Sequence, residues 1–207
     1  MYKHIVYFQR QMPVGRVRAI HAVPDAPNVD LYVNDEMIVD NLAFGDYTDY
    51  LTVPEGTYEI ALYVAGTKDS PVLSDSLTVD NNSVSTVAAV GNLNDIEFLA
   101  INDVDEDLIT GRSMIRFLHL SPNAPAVDIT LPDGSIVFSD TSFMEITPYT
   151  DVMPMEYTLQ VRAAGTEDAV LTVPDVPLEA DKYYTVYAIG LAGENPELQA
   201  LLIEDGM

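Results

Sequence analysis

The chain has no cysteine and no tryptophan among its 207 residues. Disulfides, thiolate nucleophiles and cysteine zinc sites are thereby excluded, and the redox compartment is left open. Basic residues are scarce: nine Lys and Arg stand against 33 Asp and Glu, a formal charge of −24. A surface so negative repels phosphate backbones and anionic headgroups, which argues against nucleic acid as a partner. No apolar run is long enough to cross a bilayer as a helix, so membrane insertion is not expected. The opening MYKHIVYFQRQMP interrupts its apolar positions with Lys3, His4, Gln9 and Arg10 and lacks the apolar core of a signal peptide. The expectation is a leaderless chain, or one whose leader has been removed.

What is present is strand-forming. Hydrophobic residues make up 48% and charged residues 20%, with Val, Thr, Ile and Tyr abundant and no long helix-forming run. A folded β-rich protein follows. The sequence also repeats itself. Val17 to Val33 aligns with Ile115 to Leu131, matching Arg18/Arg116, His21/His119, Pro24/Pro122, Ala26/Ala124, Pro27/Pro125, Val29/Val127 and Asp30/Asp128. Further along, Phe44/Phe143, Tyr50/Tyr149, Tyr58/Tyr157, the two Ala-Gly-Thr triplets at 65–67 and 164–166, and Gly91/Gly190 fall into register. A period near one hundred residues is a complete small domain rather than a solenoid unit. The predicted organisation is an N-terminal segment 1–13, a domain 14–105, a linker 106–113 and a second domain 114–207.

Inside each domain the hydrophobic period is two. Tyr58, Ile60, Leu62 and Val64 alternate with Glu59, Ala61 and Tyr63, as a half-buried strand does. Strands are predicted near 16–22, 28–34, 47–53, 57–65, 72–79, 84–91 and 96–102. Their counterparts lie near 114–121, 126–132, 145–152, 156–164, 169–173, 183–190 and 198–204. Turn signals such as Pro54-Glu55-Gly56 and Pro132-Asp133-Gly134 separate them. About seven short strands in some ninety residues predict an all-β chain of two tandem immunoglobulin-like antiparallel β-sandwich domains.

The most distinctive repeat is HAVPDAPNVD, His21 to Asp30, against HLSPNAPAVD, His119 to Asp128. A His and an Asp bracketing a two-proline loop invite a catalytic reading, but that reading needs a nucleophile or metal beside them. Ser121 stands in the second copy where the first has Val23, and no G-x-S-x-G elbow occurs. The only other histidine is His4. No catalytic residue is assigned, and an enzyme is not expected. The preferred reading is a structural loop built by His21, Pro24, Asp25, Pro27 and Asp30 and again by His119, Pro122, Asn123, Pro125 and Asp128. Strand parity places Val17, Ala19 and His21 on the core face, with Asp30 free to accept loop N–H groups.

The pattern H-x-x-P-[DN]-A-P-x-V-D, followed by an A-G-T turn in a β-rich domain of this size, resembles the bacterial domain of unknown function 4397 family of immunoglobulin-like domains. The resemblance covers both halves. It implies a sandwich fold and a setting on tandem surface or spore-associated proteins, outside the cell. It brings no established chemistry to transfer, and Val23 departs from the Ser usual before the first Pro.

Two further features stand out in the sequence. Asp103, Asp105 and Asp107, with Glu106, make a D-x-D-x-D run at the interdomain hinge, a candidate calcium site if calcium is a cofactor at all. A solvated acidic linker is the preferred reading, since the EF-hand template fails at Leu108 and Met114. The N-terminal segment is basic: no acid precedes Asp25, while Lys3, Arg10, Arg16 and Arg18 supply four of the nine basic residues. Residues 2–9, YKHIVYFQ, are β-prone and unrepeated, with Tyr2, His4, Ile5, Val6, Tyr7 and Phe8 as candidate assembly residues. Exchange of such a strand between copies gives self-association, and an open head-to-tail contact gives a filament. The functional expectation is a non-enzymatic structural protein of a bacterial surface. The alternative is an adhesion or ligand-binding module meeting carbohydrate or a host surface through tyrosines such as Tyr47, Tyr50 and Tyr149.

Overall fold

A computed structural model of the chain describes residues 12–103 and 108–206. Among them there is no helix and sixteen strands form four four-stranded sheets, two per domain. In the first domain one sheet runs β4-β1-β7-β8, with β1 Val14–His21, β4 Leu51–Pro54, β7 Val84–Asn92 and β8 Asp95–Asn102. The other runs β3-β2-β5-β6, with β2 Val29–Val33, β3 Glu36–Leu42, β5 Gly56–Val64 and β6 Leu73–Val79. The second domain repeats both orders. Strands β12 Thr150–Val152, β9 Ser113–His119, β15 Lys182–Ile189 and β16 Gln199–Asp205 form the first sheet. Strands β11 Ile136–Thr141, β10 Val127–Thr130, β13 Met155–Ala163 and β14 Ala169–Leu178 form the second. All pairings are antiparallel except β1 with β7 and β9 with β15. Those two parallel pairs depart from the purely antiparallel expectation.

Eight strands stand where seven were predicted. The extra ones, β3 and β11, are edge strands; β3 exposes Glu36, Met37 and Ile38 and buries only Leu42, so it carries no period-two signal. Its pairing with β2 is also broken by register shifts, and Asn41 takes a positive φ of 53°. The strand predicted at 47–53 is shorter, Tyr47 contributing only an isolated bridge to Ile20.

Both faces of β1 are covered, which the parity argument did not foresee. Val17, Ala19 and His21 point between the two sheets of their own domain. Arg18, Ile20 and Ala22 are buried on the opposite face. There the two domains share one apolar cluster: Ile20, Ala22, Ala88, Val90 and Ile101 pack with Leu118, Leu120, Tyr187, Ile189 and Ile203. The halves are therefore not separate beads but two sandwiches joined sheet to sheet. Gly91 and Gly190, repeated in the sequence, hold positive φ at the end of β7 and just after β15, where a Cβ would lie 2.3 Å from the carbonyl oxygens of Asp95 and Glu197. Any side chain there would push the following strand away.

Candidate functional site

The repeated loop is consumed by its own architecture. His21 is 1% exposed; its Nε2 lies 3.1 Å from the Pro27 carbonyl, and its Nδ1 accepts the Val23 N–H at 3.3 Å. Since Nδ1 accepts, the proton sits on Nε2 and is donated to Pro27. His119 repeats this with Pro125 at 3.0 Å and Ser121 N–H at 3.3 Å. Burial, only partly offset by the Pro27 and Pro125 carbonyls, holds both imidazoles below the ordinary histidine pKa. They are neutral struts.

The aspartates serve elsewhere. One Asp30 oxygen accepts the N–H of Asn41 and the other that of Gly66, each at 2.8 Å. Asp128 does the same for Asp140 at 2.8 Å and Gly165 at 2.9 Å. Each carboxylate thus ties the irregular end of an edge strand to the A-G-T turn, which explains why that triplet recurs with the motif. Asp25 accepts Leu93 N–H and Asn123 accepts Ala192 N–H, pinning the loop to the next hairpin. Ser121 is buried and donates to the Gly190 carbonyl at 2.6 Å, so its hydroxyl is no nucleophile for His119.

The second polar constellation lies between the domains. Arg18 reaches across to Asp205, and Arg116 reaches across to Asp103 at 2.8 Å. Each arginine also takes a threonine of its own domain, Thr86 at 2.7 Å and Thr185 at 2.8 Å. Each stacks on a tyrosine, Tyr50 at 4.7 Å and Tyr149 at 4.5 Å. The tyrosine hydroxyls close the ring, Tyr50 to Asp103 at 2.7 Å and Tyr149 to Asp205 at 2.8 Å. The four charged side chains are 0–4% exposed and sum to zero. Burial, with the neighbouring Asp205 charge, raises the Asp103 pKa against the opposing pull of Arg18. A buried cross of this kind fixes orientation rather than adding much net stability.

These positions correct three sequence expectations. The Asp103 carboxylate is fully buried and taken up by Arg116, Thr86 and Tyr50, so it is not free to share calcium; Asp105 and Asp107 lie outside the described residues. Among the described residues no cluster suited to a metal ion occurs. Tyr149 is 9% exposed and Tyr50 is tied to Asp103, leaving Tyr47, at 48%, as the exposed member of the three tyrosines. Of the basic N-terminal residues, Arg18 is buried and Arg16 donates to the Gly206 carbonyl at 3.0 Å. Tyr2, His4, Ile5, Val6, Tyr7 and Phe8 lie outside the described residues.

A third feature was invisible in the sequence. The first sandwich encloses an apolar cleft of about 450 Å³, bounded by β3 and β4, whose outer edges no described strand pairs, and lined by Ala19, Leu31, Ile38, Val39, Leu51 and Ile60 among others. The second sandwich is filled at the equivalent places. Strand register sets Ala19 against Phe117, Val39 against Phe138 and Ser85 against Tyr184. Phe117, Phe138 and Tyr184 all belong to the second domain's core. One exchange runs the other way, Phe98 opposing Ala89 where Ala200 opposes Ala188.

Fold and sites together define a pair of β-sandwiches joined sheet to sheet, with twin structural loops and one hollow member. The family described as domain of unknown function (DUF4397) matches residues 15–130 and 131–207, and the chain belongs to that family. Among solved structures, the C-terminal domain of AlgF from P. aeruginosa is similar over 45% of this chain and 98% of that one, with 17% identity and a TM-score of 0.36. No curated protein matches.

Proposed function

We propose that the chain is a non-enzymatic structural protein of a bacterial cell or spore surface, assembling head to tail into filaments through exchange of its N-terminal segment. The observation that carries this reading is the commitment of the repeated polar residues to the fold itself. His21, Asp30, Arg18 and their copies are spent on building the loops and on holding two sandwiches as one block. Residues 2–9 are unrepeated and β-prone, and the assembly reading draws on their sequence alone.

Electron microscopy and size-exclusion chromatography of the full chain, beside a chain lacking residues 1–13, test it. Fibres or large assemblies from the full chain, and folded monomers from the shortened one, are expected. A full chain that stays monomeric at high concentration ends the assembly reading. The adhesion alternative draws on exposed Tyr47. It is favoured if a glycan array gives a signal that survives loss of residues 1–13.

A further inference from the structure

We propose that the cleft of the first domain is the acceptor for residues 2–9 of a second copy of the chain, which adds an antiparallel strand along the edge of β4 that no described strand pairs. The inference rests on the strand-exchange reading above and names its receiving site. The cleft is apolar inside and bounded by two edge strands, β3 and β4. An edge strand supplies backbone donors and acceptors to an incoming strand, and alternate side chains of that strand enter the interior. In YKHIVYFQ one parity is Tyr2, His4, Val6 and Phe8 and the other is Lys3, Ile5, Tyr7 and Gln9. The first set supplies Val6 and Phe8 as apolar fillers of the volume that Phe117 and Phe138 take up in the second domain, and Lys3 belongs to the other parity. Glu36 lines the rim, on a body that holds all 33 acidic residues against five basic ones beyond Arg18.

For an antiparallel strand, a second copy fits better than the same chain. Glu55 N–H donates to the Pro13 carbonyl at 2.9 Å, and Val14 pairs with Pro54, so the chain leaves the domain at the Pro54 end of β4. For antiparallel pairing with its own β4, a chain's residues 2–9 would finish at the Leu51 end. Residues 10–12 would then have to turn and retrace the strand, and a tight turn alone uses two residues. A neighbour's segment enters without that return. Because the donor and acceptor surfaces differ, the contact is heterologous and propagates.

Disulfide trapping tests this in the full chain, which has no cysteine of its own. Val6→Cys combined with Leu51→Cys, and separately Phe8→Cys combined with Ile38→Cys, place one thiol on the donor and one on the rim. Mild oxidation should give a ladder of covalent multimers that collapses on reduction, whereas chains with either thiol alone stop at dimers. A crosslinked single chain would overturn the choice of a second copy. Fibres without a ladder from either pair would overturn the cleft as acceptor while leaving assembly standing. Neither fibres nor ladder would sink the assembly reading itself.

Discussion

The two sandwiches share their joints and differ in their interiors. The His21 and His119 struts, the Asp30 and Asp128 clamps and the crossed Arg18–Asp205 and Arg116–Asp103 pairs are near copies. Between the sheets, however, Phe117, Phe138 and Tyr184 of the second domain stand at the register positions that Ala19, Val39 and Ser85 hold in the first. The halves share what fixes each loop and each domain to its neighbour, and they differ in how fully each core is filled. A solvent-facing cleft lined by Leu51 and Ile38, each about two-fifths exposed, is a poor way to stabilise a domain, so its use is to be sought in what enters it.

The largest effects should come from breaking what the halves share. Arg18→Met leaves Asp205 buried without its nearest cation, and Arg116→Met does the same to Asp103; each should cost about 3–5 kcal/mol in denaturant unfolding. The two losses should be similar, and a double-mutant cycle should show them coupled, because all four charges lie within one cluster. Unequal, additive losses would break the symmetry.

Next comes the contrast between cores. Phe117→Ala should destabilise by about 3–5 kcal/mol, the usual cost of emptying a packed aromatic site. The reverse change, Ala19→Phe, should be tolerated with an unchanged or raised Tm, since the space is already there. A loss from Ala19→Phe as large as that from Phe117→Ala would mean that the first core is as tight as the second.

The smallest effect is the pH dependence. Both histidines are held below their unfolded value of 6.5. The folded chain therefore binds fewer protons than the unfolded one below that pH. Their contribution is complete above about pH 6.5 and is lost as pH falls toward each folded pKa. The slope is up to about 1.4 kcal/mol per pH unit per histidine while it stays neutral. His119→Gln and His21→Gln should each lower the slope just below pH 6.5, and by similar amounts, as the two loops are built alike.

The loop grammar was legible because it is written twice: a Ser present in only one copy disqualified itself as a nucleophile, and Asp30 was already free to hold N–H groups. The interface was not. Arg18, Ile20 and Ala22 sit on the parity opposite the core face, and only the second domain covers them. Asp103 and Asp205 are 102 residues apart, out of step with the 98 or 99 of the other pairs, so Asp103 read as part of an acidic hinge. Strand β3 hid because an exposed edge needs no alternation. The cleft escaped notice for a related reason: each of Ala19, Val39 and Ser85 is an ordinary strand residue, and only the register that sets them against Phe117, Phe138 and Tyr184 shows the missing volume.

In the strand-exchange reading, the first sandwich is hollow in order to be filled from outside. Ala19→Phe combined with Val39→Phe fills it from within, following the second domain. Electron microscopy of that full-length variant, with its thermal unfolding measured on the same sample, is the most direct test. Loss of fibres with a Tm at or above that of the parent chain is the predicted result. Fibres as long and as abundant as the parent's would contradict the claim.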